Sequence, residues 1–223
     1  MQRFFDILFS STALIILSPI LIIIILILKQ TGEGEILFFQ KRIGKEGISF
    51  KLYKFATMLK NSENIGTGTL TIQDDPRILP FGKFLRKTKL NELPQLINVL
   101  MGDMSVIGPR PQAQRNFDAY KKNIRNKITY VRPGLSGIGS IIFRNEEEMM
   151  QNNNNSDDFY DNIIMQYKGE LELWYINKRN IVLYFLLIIS TVVAVVSSKN
   201  NIIYFFYNDI PKPPNQLKSW IKR

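Results

Sequence analysis

The 223-residue chain contains no cysteine and no histidine. Their absence removes disulfides, thiolate nucleophiles, Cys/His zinc sites and every histidine-dependent triad. Any catalysis has to run on carboxylates, Lys, Arg, Tyr, hydroxyls, backbone amides or a metal held by oxygen. A hard cation such as Mg²⁺ beside a phosphorylated ligand suits that inventory. Acidic residues are in deficit as well: 19 Asp and Glu against 29 Lys and Arg give a formal net charge of +10. Such an excess points to an anionic partner, whether nucleic acid, an acidic lipid surface or a phosphorylated substrate. No nucleic-acid recognition module accompanies the charge, so nucleic acid is not expected as a partner. Internal repeats and the glycine fingerprints of phosphate loops and dinucleotide folds are missing too.

What is present begins with a charge-free run of 22 residues at 7–28. Its length suits a membrane helix. Ser18-Pro19 stands near its middle, where the missing proline amide predicts a kink or break. Each arm would then reach only about 15–17 Å at the helical rise, roughly half a bilayer core. Arg3 precedes the run, and Lys29, Lys41, Arg42 and Lys45 follow it, so basic residues give no clear sidedness. A spanning helix and a re-entrant hairpin fit these residues about equally. A second apolar stretch, 181–197, is short for a span; it could cross the membrane, lie in the interface or cover the polar domain. Tyr184 and Phe185 near its start favour membrane association.

Between these stretches the pattern is that of a folded polar domain. Residues 35–41 and 48–55 read as strands around the turn Gly44-Lys45-Glu46-Gly47. Residues 62–75 and the Asn-rich 151–155 read as loops. Residues 81–89 suggest a short basic helix, suited to an anionic surface or simply to solvent. Residues 94–100 suggest another, with Asn91 as its N-cap and Glu92 near the positive end of its dipole. The same helix start would favour a bound phosphate. In Gly108-Pro109-Arg110-Pro111, prolines fix the backbone on both sides of an arginine whose fork suits phosphate or carboxylate. Arg132-Pro133-Gly134 is a second constrained segment. The tail Pro211-Lys212-Pro213-Pro214 should be extended, with Lys218, Trp220, Lys222 and Arg223 available to a membrane surface.

Taken in order, these segments resemble the bacterial sugar transferase family, the monotopic polyprenyl-phosphate phosphoglycosyl transferases. The resemblance covers roughly residues 3–184. It is carried by Ser18-Pro19, Phe50-Lys51-Leu52-Tyr53-Lys54-Phe55-Ala56-Thr57-Met58, Asp74-Asp75-Pro76-Arg77, Leu85-Arg86-Lys87-Thr88-Lys89-Leu90-Asn91-Glu92-Leu93-Pro94-Gln95, Asn98-Val99-Leu100-Met101-Gly102-Asp103-Met104-Ser105, Gly108-Pro109-Arg110-Pro111 and Val131-Arg132-Pro133-Gly134. The ordered set is specific where each piece alone is weak.

The resemblance implies a membrane-associated α/β protein with three parts. These are a re-entrant helix at 1–30, a small catalytic domain with interfacial amphipathic helices at 31–175, and a C-terminal apolar helix with a basic tail at 176–223. It further implies transfer of a sugar-1-phosphate from a nucleotide diphosphate sugar to polyprenyl phosphate, initiating membrane glycan synthesis at the cytoplasmic face of the bacterial inner membrane. Mg²⁺ is the implied cofactor and membrane lipids are implied partners, while exposed apolar faces are compatible with homo-oligomers. Family members use an Asp-Glu pair: Asp attacks the β-phosphate and Glu helps hold the metal. Here Asn91 stands at the Asp position, and a neutral amide is a poor nucleophile because its nitrogen lone pair is delocalised. Glu92 is retained as catalytic residue and metal ligand, with Asn91 beside it; Lys54, Arg86, Arg110 and Arg132 are the expected substrate contacts. A second departure is Ala56, where many relatives carry a basic residue. A catalytically impaired member that binds polyprenyl phosphate or a partner enzyme is the alternative expectation.

Overall fold

The computed structural model describes residues 1–64, 75–144, 146, 156–196 and 202–221. The asparagine-rich loop, Glu147, Glu148 and most of the 62–75 loop lie outside these residues.

Helix α1 (Gln2–Gln30) is helical throughout, with Pro19 inside it. Of the kink or break expected at Ser18-Pro19, an outright break does not occur, for a local reason. Proline lacks the amide that would bond the carbonyl four residues earlier, that of Ile15. Ser18 Oγ donates to that carbonyl instead, at 2.8 Å. Among the described residues α1 is the one helix long and apolar enough to cross a membrane.

Both ends of α1 are held by the same domain. At the start, Arg3 donates to the carbonyls of Val99 (2.5 Å) and Leu100 (2.7 Å). Gln2 donates to Ser105 Oγ and to the Ile107 carbonyl. Asp6 is buried, and its Oδ1 accepts from Ser105 Oγ, the Val106 amide and the Tyr184 hydroxyl at 2.8–2.9 Å. At the far end, Ile24 and Leu28 pack with Phe55 and Leu85. Ile15 and Ile16, midway, are 73% and 68% exposed.

The expected hairpin forms from β1 (Leu37–Ile43) and β2 (Ser49–Phe55), paired antiparallel from Leu37↔Phe55 to Ile43↔Ser49. The turn between them places Glu46 (φ 59°) and Gly47 (φ 75°) in the left-handed region. The free edge of β2 is closed by a side chain: Asn98 accepts from the Tyr53 amide (3.0 Å) and donates to the Lys51 carbonyl (2.8 Å). A second, parallel pair joins β3 (Ser105–Ile107) to β4 (Gly134–Ser136).

Helix α2 (Pro80–Lys87) takes proline at its start and ends in basic residues, as the first-turn tolerance of proline and the helix dipole favour. A single 3₁₀ turn, Leu90–Glu92, follows, then α3 (Gln95–Met101), closed by Gly102 at φ 96°. The expectation that Asn91 caps this helix is corrected: Pro94 occupies the N-cap and no side chain bonds there, because the intervening turn has its own amide bonds, Glu92 and Leu93 to the carbonyls of Lys89 and Leu90. Short helices α4 (Gln114–Ala119), α5 (Lys122–Ile128) and α6 (Ile138–Ile142) lead to α7 (Ser156–Phe159). A π turn, Tyr160–Ile164, continues into α8 (Met165–Lys178), then α9 (Ile181–Val196) and α10 (Ile202–Phe206).

The largest core lies around α8 and α9, with Ile164, Met165, Leu171, Leu183 and Leu187 fully buried. Helix α9 therefore covers the domain on one face, while Val182, Val192 and Val195 on the other are 59–69% exposed. The C-terminal tail folds back as well: Leu217 and Ile221 are buried in the same core and Trp220 packs against it. Residues 211–214 form neither helix nor strand and Lys218 is exposed, in keeping with the expected extended tail, while Lys222 and Arg223 lie outside the described residues.

Candidate active site

Three segments converge on Glu92. Strand β2 brings Lys54, the 3₁₀ turn brings Glu92 itself, and the loop after β3 brings Arg110. Lys89, at φ 60°, turns the chain between α2 and the 3₁₀ turn. Asn98, docked on β2, fixes the distance between that strand and the helix following Glu92. Arg110 is held by backbone packed on backbone. The Gly134 amide bonds the Pro109 carbonyl at 2.8 Å, and the Gly108 amide bonds Ser136 at 2.9 Å. A Cβ on Gly134 would overlap the backbone of Gly108, so glycine is required for this approach.

Glu92 Oε1 accepts from Arg110 Nη2 at 3.1 Å and lies 3.6 Å from Lys54 Nζ. Burial opposes the charge on Glu92, but Arg110 and Lys54 outweigh it and hold its pKa at about 2. Lys54 is lowered to about 8, first by burial and then by the positive charges of Arg110, Arg42 and Arg86, with Glu92 acting against them. Arg86 is thus close enough to be felt by Lys54, although it is not a wall of the cavity described next.

Glu92 and Arg110 open onto a cavity of about 500 Å³. Its other walls include Leu135, Ile188, Val192 and Val195 from β4 and α9, and Glu146, Lys168 and Glu172. Lys168 pairs with Glu146. Glu172 is 2% exposed, and its Oε2 has no partner among the described residues. Burial pushes its pKa up to about 8, against the Arg110 backbone amide that donates to it and the Lys168 charge. A Cβ on Gly139 would sit 2.5 Å from Glu172 Oε1, so the glycine leaves space for this carboxyl.

The site thus collects Glu92, Lys54 and Arg110 of the expected set, with Arg86 nearby. Asn91 is buried, does not line the cavity, and leaves Oδ1 without a partner among the described residues. Arg132 is not brought here: its Nε donates to the Gly102 carbonyl at 2.7 Å, and it lines a separate cavity. Lys168 and Glu172 were missed from sequence. Their signal was an opposite-charge pair four residues apart within the otherwise apolar face of α8, positions that share one side of a helix.

Glu92 suits a Mg²⁺, an ion that commonly takes one or two carboxylates and completes its shell with substrate phosphates and water. Both contacts of Glu92 fall on Oε1, leaving Oε2 for such a ligand. Among the described residues no group of three or more acidic side chains gathers into an all-protein metal cage.

The family model for bacterial sugar transferases matches residues 1–198. The exopolysaccharide production protein ExoY of Sinorhizobium fredii is 36% identical over 65% of this chain and 70% of its own length. ExoY of Rhizobium meliloti is 35% identical, with the same coverage of both chains. The UDP-glucose:undecaprenyl-phosphate glucose-1-phosphate transferase of Escherichia coli is 40% identical over 63% of this chain but only 31% of its own length.

Proposed function

Because the chain belongs to the bacterial sugar transferase family, we propose that it transfers a sugar-1-phosphate from a nucleotide diphosphate sugar to polyprenyl phosphate. The products are a polyprenyl diphosphate sugar and a nucleoside monophosphate. The observation that carries this reading is the cavity itself. It sets Glu92, Arg110 and Lys168 in one space with the apolar side chains Leu135, Ile188, Val192 and Val195. A phosphate on a hydrocarbon chain needs both kinds of wall. The transferase from Escherichia coli, by its name, uses UDP-glucose and undecaprenyl phosphate; this supports a UDP-sugar donor here.

Arg110 and Lys54 bind and neutralise the diphosphate of the donor. Glu92 would hold Mg²⁺, which when bound offsets the negative charge of the phosphates. The sugar-bearing phosphorus is attacked by an acceptor phosphate oxygen, and its bond to the nucleoside monophosphate breaks. With a neutral amide at position 91, this direct displacement needs no covalent enzyme intermediate. Release of UMP from purified protein, polyprenyl phosphate, Mg²⁺ and a panel of UDP-sugars tests the proposal. Turnover in the wild type, lost by at least about a hundredfold in Glu92→Gln, is the expected result. Asn91→Asp, examined by mass spectrometry for a phosphosugar adduct, tests the direct route. No UMP from any UDP-sugar would overturn the reading.

Placement at the cytoplasmic face of the inner membrane, with α1 entering and leaving by one side, belongs to the same proposal. Its support is that one domain grips both ends of α1 while the apolar middle is left exposed. A helix of 29 residues is about 43 Å long; were it a straight span, its two ends would lie on opposite sides of the bilayer.

A further inference from the structure

A second cavity, of about 270 Å³, lies where the first turn of α1 meets the segment 130–132 and the residue following α8. Four cations line it, Arg3, Lys45, Arg132 and Arg179, against a single acid, Asp6. Asp6 is already committed inward, since its Oδ1 accepts three hydrogen bonds. Part of the positive charge has a structural use. Arg3 and the Arg132 Nε bond the carbonyls of Val99, Leu100 and Gly102, where the end of α3 carries partial negative charge.

Lys45 pairs with its neighbour Glu46 at 3.0 Å, which leaves the two arginines beyond α3 unaccounted for. The terminal nitrogens of Arg132 have no partner among the described residues, and Arg179 makes no hydrogen bond or ion pair there; both residues are exposed. Two uncommitted guanidinium forks facing one polar cavity suit a phosphate group, which each can bind through paired donors.

The surroundings indicate what carries the phosphate. The cavity opens beside the start of the apolar helix, whose Phe4 is 66% exposed. Tyr130 on its wall is 69% exposed, and tyrosine is a residue favoured where hydrocarbon gives way to water. We propose that this cavity binds the phosphate of an anionic phospholipid headgroup, through Arg132 and Arg179 with Lys45 beside them, at a site separate from the cavity around Glu92. The proposal rests on the membrane placement of α1 and not on the reaction.

The test uses the full chain in detergent, with thermal unfolding followed against short-chain phosphatidylglycerol, short-chain phosphatidylcholine and inorganic phosphate. The variants are Arg179→Gln and Lys45→Gln/Arg179→Gln, which remove exposed side chains that bond nothing in the core. Phosphatidylglycerol should stabilise the wild type in a saturable way, and its apparent affinity should fall at least about tenfold in the double variant. Glu92→Gln should bind phosphatidylglycerol as the wild type does, even where UMP release is lost, which separates this site from the reaction. Equal stabilisation by phosphatidylcholine, full stabilisation by inorganic phosphate alone, or unchanged affinity in the double variant would each overturn it.

Discussion

Two groups in contact with Arg110 or its partner Glu92 have their pKa values moved to about 8, Lys54 downward and Glu172 upward, and each gives a separate observable. Lys54, lowered to about 8 chiefly by burial, loses its charge as pH rises through that value. If it binds donor phosphate, KM for the nucleotide sugar should rise by roughly tenfold between pH 7 and 9. Lys54→Arg keeps its charge over this range and should flatten the profile; a wild-type KM independent of pH would remove Lys54 from the site. Glu172 affects stability instead. Its pKa is raised from 4.5 to about 8, mainly by burial. Between those values the folded chain holds a proton that the unfolded chain has released, so stability falls as pH rises through the window. Glu172→Gln carries no such penalty: its Tm should gain on the wild type from pH 5 to pH 8, and a constant difference would count against the buried ionisable carboxyl.

At the scale of elements, α1 is joined to the domain by polar contacts that its apolar sequence hides. Asp6 links α1 to β3 and α9 through three hydrogen bonds. Asp6→Ala leaves the Val106 amide and two hydroxyls without that acceptor and should cost about 3 kcal/mol or more in chemical denaturation, whereas Asp6→Asn, keeping one acceptor oxygen, should cost less. A similar close fit sets α2. Gly82 lies against the Thr57 carbonyl, which a Cβ would overlap, so Gly82→Ala should push α2 off the strand segment that follows β2 and lower Tm by several degrees, about 1–3 kcal/mol of overpacking. The strands and helices themselves were legible from local patterns: the 35–41 and 48–55 strands appear as Leu37–Ile43 and Ser49–Phe55, and the 81–89 helix as Pro80–Lys87. What misled was the segment around residues 90–95. Its proline reads as a helix start, but the preceding 3₁₀ turn takes Asn91 out of the cap position.

For the whole molecule, the sidedness of α1 is the property that distinguishes a re-entrant helix from a span. The chain has no cysteine, so single cysteines report without background. One placed at Glu33, just past α1, and one in an extension before Met1 should both react with an impermeant thiol reagent only after the cytoplasmic face is opened. Reaction of the two from opposite faces would establish a span and defeat the hairpin.

The sequence by itself determined the chemical inventory, the two apolar stretches and the family, and singled out Glu92 as a candidate, because composition, periodicity and ordered motifs are local or linear properties. It could not decide which charges meet. Lys54 and Arg110 reach Glu92, and Arg132 does not, because the pairing of β3 with β4 and the docking of Asn98 on β2 set those distances. The same holds for Lys168 and Glu172, which are four residues apart on one helix yet acquire their shifted titration only from the burial that tertiary packing imposes.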